Sequence, residues 1–279
     1  MPRKKMDSRE VGLVVGLIFA RYFLHTDDLH YGFWPDDLPV TPDNLQIAQE
    51  HHSDLILSAI PEGVQTILDV GCGGGALARR LLDRGYQVDG VSPSGPLTAH
   101  AKQRVGNEST IFESKFEEVQ PGKTYDLILF SESFQYMKRA RVFEQITSLL
   151  NPQGHLLICD FFRKPNTERG PIGGGHRWEA FQEELGKHPF ENQLDQDITK
   201  ETARNYDLVN DLLTEVGVPV WELIFAYGET NYPKVTKALR RIYRKKIDKL
   251  ENKYFQGRRT AETFAEYKTY RLLRYQWMG

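Results

Sequence analysis

The stretch TILDVGCGGGALARRLL, residues 66–82, decides the fold, because a short apolar strand passes through a glycine-rich loop into an amphipathic helix. Glycines at positions 71, 73 and 75 permit a tight turn and allow a ligand to approach the backbone closely. The following helix offers free N–H groups at its start, as nucleotide-binding loops do. The loop also satisfies the loose dinucleotide fingerprint G-x-G-x-x-G/A, so the glycines alone do not identify the cofactor.

Strand-like and helical patterns alternate around this loop, from Thr66 to Phe162. The apolar runs YQVDGVS (86–92), YDLILF (125–130) and GHLLICDFF (154–162) are separated by helical segments. Such alternation predicts a parallel sheet with helices on both faces, and continuous apolar runs indicate strands that are covered on both sides. We therefore expect ligands at the carboxyl edge of the sheet.

The flanking segments complete a Rossmann-like α/β prediction: a seven-stranded, mostly parallel sheet with an N-terminal helical cap and a C-terminal helical lid insert. Residues 43–60 show a helical rhythm, 189–199 read as an edge strand, and 200–217 as a helix closed by Gly217. The predicted parts are the cap (1–60), the cofactor-binding core (61–198), the lid insert (199–266), which we expect to fold over the pocket, and a final strand (267–279) that returns to the sheet.

Charge is unevenly distributed along the chain. Residues 234–279 contain 14 Lys or Arg and 4 Asp or Glu, so this part is +10 while the rest is −12. Residues 234–254 predict an amphipathic basic helix, which could contact an anionic membrane or dock on the acidic body of the chain itself. Nucleic acid is disfavoured, because the overall charge is −2 and no recognised binding module is present. The oligomeric state is left open.

Two features bear on location. Cys72 and Cys159 are too few for a disulfide framework, and no secretory signal is recognised, so we expect a cytoplasmic protein, with peripheral membrane contact as the open alternative. The apolar run VGLVVGLIFA (11–20), extended to Leu24, is too short to span a bilayer and predicts a buried or interfacial helix.

Five motifs in a fixed order carry a family resemblance: DLHYGFW (28–34), NLQIAQ (44–49), ILDVGCGGG (67–75), GVSPS (90–94) and LLNPQGHLL (149–157). In this order they resemble class I S-adenosylmethionine-dependent methyltransferases, above all the group of cyclopropane-fatty-acid synthases and small-molecule or lipid methyltransferases of the tocopherol and sterol types. The resemblance covers residues 22–162 well and the rest poorly. It implies S-adenosylmethionine as the cofactor and no metal.

The resemblance also implies which residues hold the cofactor. The glycine loop of that family surrounds the methionine part, and a tyrosine of the HYGFW-like stretch lies near it. The residues carried over are Tyr31, Asp69, Gly71, Gly73, Gly75, Ser92, Phe116 and Ser131. Packing of the cap on the core is the alternative for Tyr31 and Trp34, because aromatic side chains are mostly core material.

Ser92 stands where most class I methyltransferases carry an acid for the ribose, 21 residues after Gly71. Asp89 cannot replace it easily, because residues 89 and 92 of a strand point to opposite faces. The cyclopropane-synthase-like group often has a hydroxyl residue here, so the exchange favours that group. Lys115 is a second departure, where the family usually shows an acid near the adenine; either backbone at Phe116 holds the base, or the alignment with the family slips by one residue.

The chemistry predicted is in-line methyl transfer, in which positioning and desolvation supply most of the catalysis. Cyclopropane synthases use a bicarbonate held by residues that include a Glu-His pair after the fourth strand. Gln135 and Tyr136 occupy those positions here, so we expect methylation without ring formation.

The catalytic candidates are Glu132, Tyr136 and His176. Glu132 is the best-placed carboxylate, with helix capping or a salt bridge as its alternative role, and His176 could act as a base from a loop or be a surface histidine. The rival functions are a catalytically silent S-adenosylmethionine-binding or interaction protein and an NADP-dependent oxidoreductase, although the first arginine after Ser92 is only Arg104.

Overall fold

A single sheet organises the described part of the chain. The computed structural model describes residue 22 and residues 28–167 and 170–279. The apolar segment predicted as a helix at 11–24 lies outside these residues apart from Tyr22. Where the chain is described, no helix combines the length and the apolar character needed to cross a membrane.

The strands follow the predicted alternation. Their bounds are β1 Thr66–Val70, β2 Gln87–Ser92, β3 Ile111–Glu113, β4 Tyr125–Ser131, β5 Leu150–Arg163, β6 His176–Arg177, β7 Phe190–Asp197 and β8 Lys268–Trp277. Seven strands run in the order β3-β2-β1-β4-β5-β8-β7, and the two-residue β6 pairs beside β5. Pairs up to β5 are parallel, while β8 is antiparallel to both neighbours. The mostly parallel Rossmann-like sheet is confirmed.

Helices cover both faces of the sheet. Their bounds are α1 Leu45–Ser58, α2 Ala76–Asp83, α3 Gly95–Val105, α4 Arg139–Leu149, α5 Trp178–Leu185, α6 Thr199–Ala203, α7 Asn205–Asp211, α8 Val218–Asn231, α9 Pro233–Tyr254 and α10 Ala261–Tyr267. Strand residues alternate between two apolar clusters: Leu127 and Leu129 face α1, α2 and α3, whereas Ile128 and Phe130 face α4 and α5. This two-sided burial explains the continuous apolar runs.

The insert between β7 and β8 differs from the prediction in one respect. Gly217 does not close a helix: a π-helical segment, Leu212–Gly217, joins α7 directly to α8, and Gly217 has helical angles of φ −61° and ψ −48°. Glycine permits a helix end but does not impose one, and here the backbone continues. The four part boundaries stay a prediction.

The helices α8 and α9 form a hairpin that packs mainly on itself. Trp221 Nε1 donates to Glu251 at 3.0 Å, and the Arg240 guanidinium lies 4.6 Å from the centroid of the Phe225 ring. No residue of α8 is buried. The parts of the insert that cover the sheet are α6, α7 and α10, through buried residues such as Tyr206 and Phe264; the hairpin covers little of it.

Candidate active site

The glycine loop between β1 and α2 opens onto free space at its middle. Gly73 has φ +54°, a left-handed conformation that other residues adopt only at a cost. A side chain at Gly71 would collide with Ser133, and one at Gly75 would come within 2.9 Å of Ala101, whereas a Cβ on Gly73 would meet nothing within 4 Å. The outer glycines thus fit the loop against the protein, and the central one leaves room for a ligand.

Two buried polar atoms beside the loop have no partner in the described part of the chain. These are Oδ2 of Asp69 near the end of β1 and Oγ of Ser131 at the end of β4. Asp69 is only 2% exposed, and burial raises the pKa of its carboxyl to about 7. Because buried polar groups are almost always hydrogen-bonded, both atoms fit a polar ligand in the loop. The residues present therefore suit S-adenosylmethionine, whose amino acid part carries an ammonium group.

Ser92 and Asp89 occupy separate environments, as their parity predicts. Asp89 is buried and already engaged, accepting from the Tyr125 hydroxyl at 2.8 Å and pairing with Lys123 at 2.7 Å. Ser92 is 3% exposed, and its Oγ accepts a long bond of 3.4 Å from the backbone N–H of Ser94. No carboxylate of β2 is thus available beside the predicted ribose position.

The predicted adenine position offers backbone rather than side chains. Lys115 is exposed and pairs with Glu118 at 3.1 Å. Phe116 is 1% exposed, and its ring packs edge-to-face on Phe130 with centroids 5.4 Å apart. Since the Phe116 ring belongs to the core, only its backbone can face a ligand.

Glu132 lies at the centre of a hydrogen-bonded cluster where β4 ends. Its Oε1 accepts from the backbone N–H of Tyr31 at 2.7 Å and from the Tyr270 hydroxyl at 2.7 Å. Glu132 has φ +53°, which is uncommon outside glycine, and burial raises the pKa of its carboxyl. Strained backbone of this kind clusters at functional sites. The carboxylate is held in one orientation and is easier to protonate than a free glutamate.

His30 interacts electrostatically with this cluster. Burial alone would lower the pKa of His30, but the hydrogen bond and the charge of Asp28, 3.4 Å away, raise it above its usual value. Its Nδ1 contacts the carbonyl of Tyr31 at 2.8 Å. A protonated His30 would favour ionised Glu132, because the two groups interact electrostatically.

Tyr31 connects the N-terminal segment to the insert. Its hydroxyl bonds that of Tyr206 in α7 at 2.8 Å, and its ring stacks on Phe161 with centroids 6.4 Å apart. Nearby, Trp34 is fully buried and donates from Nε1 to Asn205 at 3.0 Å. Trp34 is therefore a packing residue, whereas half-buried Tyr31 borders the Glu132 cluster.

The other two catalytic candidates lie in surroundings different from those of Glu132. Tyr136 is 65% exposed, although it is close enough to Tyr31 to influence the pKa of that hydroxyl. His176 packs edge-to-face on Phe134, contacts the carbonyl of Phe134 at 3.2 Å and bonds Arg139 at 3.2 Å. Burial lowers the pKa of His176. Its neutral form is favoured, with both ring nitrogens engaged.

Gln135 binds a second buried carboxyl. Its backbone N–H and side-chain Nε2 donate to Asp160 at 3.0 and 3.2 Å. Burial raises the pKa of Asp160 to about 8, so this group is mostly protonated at neutral pH. Asp160, Tyr206 and Tyr270 were not candidates in the sequence, because they come from distant segments and follow no motif. Only the three-dimensional pairing of β5 with β8 brings Tyr270 to Glu132.

Comparison with known proteins agrees with this geometry. A family model described as a methyltransferase domain matches residues 46–208. An uncharacterized methyltransferase of Geobacillus kaustophilus is 28% identical over 170 residues, which is 59% of this chain and 74% of that protein.

Two solved structures share the fold. A cyclopropane synthase from Mycobacterium tuberculosis superimposes with a TM-score of 0.64 at 20% identity, covering 92% of this chain and 93% of its own. A geranyl diphosphate C-methyltransferase from Streptomyces coelicolor, solved with S-adenosyl-L-homocysteine, has a TM-score of 0.65 at 14% identity and covers 97% and 98% of the two chains. At these identities the likeness shows the fold.

Proposed function

Because the chain belongs to the methyltransferase domain family and is an S-adenosylmethionine-dependent methyltransferase, we propose that it methylates a small molecule or a lipid directly, without forming a cyclopropane ring. The observation that carries the proposal is the open glycine loop beside the unpartnered atoms of Asp69 and Ser131. When bound there, S-adenosylmethionine supplies an electrophilic methyl group on a sulfonium sulfur. The chain has to bind this cofactor, exclude water and align an acceptor.

We assign the cofactor-binding roles as follows. Asp69 accepts from the ammonium group, and the backbone of the glycine loop surrounds the amino acid part. Ser92 offers one hydroxyl to the ribose, and backbone at Phe116 borders the adenine. The full set is Tyr31, Asp69, Gly71, Gly73, Gly75, Ser92, Phe116 and Ser131.

On the acceptor side we assign Glu132 the main role. Its carboxylate, held by Tyr31 and Tyr270, orients the acceptor or takes a proton from it. A raised pKa suits a proton acceptor, because general-base catalysis is most efficient when the pKa of the base lies near the working pH. Tyr136, which is exposed, and His176, which has a lowered pKa, are the remaining candidates.

Simple methyl transfer, rather than ring formation, is supported by the residues beside Glu132. Gln135 is committed to Asp160 through its backbone and side chain, and Tyr136 is largely exposed. Neither is a proton acceptor at neutral pH.

Cofactor carrying a CD3 group tests this proposal. The purified chain is incubated with labelled S-adenosylmethionine and a metabolite and lipid extract, and products are examined by mass spectrometry. Direct transfer keeps all three deuterium atoms in the product, whereas ring formation releases one as a deuteron and keeps two. Products with two deuterium atoms would contradict the absence of ring formation. Cofactor binding in a thermal-shift assay without any labelled product would favour the silent binding protein instead.

We also propose that the α8–α9 hairpin contacts an anionic membrane surface. Residues 234–254 carry nine Lys or Arg against two acidic residues. Large apolar side chains recur every three or four residues on both helices and are about half exposed or more: Val220, Leu223, Ile224, Tyr227, Val235, Leu239 and Ile242. At 100° per residue, both stripes lie about a third of a turn from the contact between the helices, on the same side of the hairpin. An apolar face beside lysines suits an interfacial helix pair.

Vesicle sedimentation tests this contact. Vesicles containing phosphatidylglycerol should bind the chain in a salt-sensitive manner, and pure phosphatidylcholine vesicles should bind it much less. Lys246→Glu, within the apolar stripe, should weaken binding more than Lys237→Glu, on the opposite side of α9. Equal effects of the two variants, or a stable dimer in sedimentation velocity that binds no vesicles, would refute the membrane contact.

A further inference from the structure

A cavity lies where β5 ends and β8 begins. It has a volume of about 170 Å³ and is lined by Gln135, Arg163, Tyr267, Lys268 and the glycine-rich segment 170–175. Phe161 joins it to the candidate active site, since its ring stacks on Tyr31 and also lies 5.7 Å from Lys268 Nζ. The cavity is large enough for a carboxylate or a phosphate group.

Two cationic side chains lie side by side on the wall of this cavity. Arg163 and Lys268 are register partners in the antiparallel β5–β8 pair, so their side chains leave the same face of the sheet. Directly opposed like charges destabilise a sheet. Lys268 is only 1% exposed, and its Nζ is fixed by donating to the carbonyl of Gly174 at 2.6 Å. Its ammonium group is therefore buried and held at the cavity wall.

Arg163 has unused donor capacity. Its Nε is buried without a hydrogen-bond partner in the described part of the chain, and no carboxylate of those residues forms an ion pair with it. On its other side the register partner of Arg163 in β6 is Arg177, a third cation. Arg177 is itself ion-paired with Glu179 at 3.6 Å, so its charge is compensated, whereas no carboxylate among the described residues compensates Arg163. The charge points to an anionic ligand between Arg163 and Lys268.

The glycine-rich segment leaves backbone, rather than side chains, on the wall of the cavity. Gly174 and Gly175 have φ +81° and +72°, and a Cβ on either would lie within 3.2 Å of the Phe161 ring. Glycine is thus required where the segment crosses Phe161. Gln135 lies next to this segment on the cavity wall: its Oε1 accepts from the backbone N–H of Gly175 at 3.3 Å, and its Nε2 binds Asp160.

We propose that this cavity binds a carboxylate or phosphate group of the methyl acceptor, with Arg163 and Lys268 as its ligands. Gln135 follows Glu132 by three residues and forms part of the cavity wall, so a bound acceptor extends from the cations toward the candidate catalytic carboxylate. The inference deepens the proposed methyl transfer and rests on it. It narrows the substrate class to anionic molecules.

Binding of inorganic phosphate and of acetate, measured by calorimetry on the full chain without cofactor, tests the cavity directly. We expect one or both to bind the wild type, and Arg163→Gln to weaken that binding at least tenfold, while Arg163→Lys retains part of it because the charge remains. Arg141→Gln, an exposed arginine of α4, is the matched control and should leave binding unchanged. Preference for phosphate over acetate would indicate a phosphate ester, and the reverse a carboxylic acid.

The inference would be overturned if neither probe binds at concentrations from 50-fold above that of the enzyme up to roughly 50 mM. At that upper limit even a site with millimolar affinity would be occupied. Equal binding by the wild type and Arg163→Gln would also overturn it. Circular dichroism checks that each variant is folded, and Lys268→Met serves as a second variant if Arg163→Gln is not.

A second measurement separates this inference from the proposed function. Products labelled from CD3 cofactor are fractionated by anion exchange. Label in retained, anionic products supports the cavity as a substrate subsite. Label only in neutral or cationic products refutes the subsite and leaves methyl transfer intact, whereas no label in any fraction counts against methyl transfer and leaves the probe-binding experiment to decide the cavity.

Discussion

Replacing Asp69 with Asn should stabilise the chain without cofactor and weaken cofactor binding. Asp69 is buried beside the glycine loop, its Oδ2 has no partner among the described residues, and burial raises its pKa from 3.8 to about 7. A carboxyl whose pKa is higher in the folded state binds its proton more tightly there. Raising the pH from about 4 to 7 therefore favours the unfolded state, and the loss of stability is complete above pH 7.

The size of the effect follows from this shift in pKa. A pKa shift of about three units, at roughly 1.4 kcal/mol each, lowers the free energy of unfolding by up to about 4 kcal/mol above pH 7. Asp69→Asn removes this loss of stability, so the variant should unfold at a temperature roughly 8 °C higher at pH 8, taking about 2 °C per kcal/mol for a chain of this size. At pH 4 both proteins carry a neutral side chain and the difference should disappear.

Cofactor binding should change in the opposite direction. An ionised Asp69 can form a charge-assisted hydrogen bond with the ammonium group, and an amide cannot, so affinity for S-adenosylhomocysteine should fall at least tenfold. Thermal melts from pH 4 to 8.5, with and without S-adenosylhomocysteine, measure both effects. Asp37→Asn, on the surface, is the control. A variant that is less stable than the wild type at pH 8 would refute the reasoning, because the native carboxylate would then have to be hydrogen-bonded.

Three further predictions concern the same site. Gly73→Val should abolish binding of S-adenosylhomocysteine in a thermal-shift assay, because its side chain fills the open space of the loop, whereas Gly63→Val, at another positive φ with free space, should also strain the backbone and leave binding intact. Ser92→Asp should preserve or strengthen that binding, since a carboxylate offers two acceptors to the ribose hydroxyls; a complete loss measured by calorimetry would contradict the assigned position. Glu132→Gln should lower kcat at least tenfold and remove the acidic limb of the pH profile, while Tyr270→Phe should keep that limb and shift it; a Glu132→Gln enzyme with an unchanged profile would exclude Glu132 as the proton acceptor.

The sheet could be predicted from sequence because its signals are local. The apolar runs at 86–92, 125–130 and 154–162 became strands, and the last segment returned to the sheet as β8, Lys268–Trp277. The loop at 71–75 could also be predicted from sequence, since glycine is the residue that such a turn requires.

What sequence could not provide is contact between distant segments. Tyr270 and Glu132 are 138 positions apart, and only the position of β8 beside β5 joins them. The positive φ of Glu132 has no sequence signal either, because a non-glycine residue there is normally disfavoured. The predicted helix end at Gly217 was wrong, because glycine commonly ends helices but here lies inside one.

The π-helical segment also has a mechanical consequence. From Asn205 to Asn231 the helical backbone is unbroken, a rod of roughly 40 Å at about 1.5 Å per residue. One end of this rod carries Tyr206, whose hydroxyl holds Tyr31 beside Glu132, and the other carries the exposed side of the hairpin. Movement of the hairpin would therefore be transmitted along this helical segment to Tyr206 and the pocket. The π-helical segment, with its extra residue per turn, is where the helix would bend first.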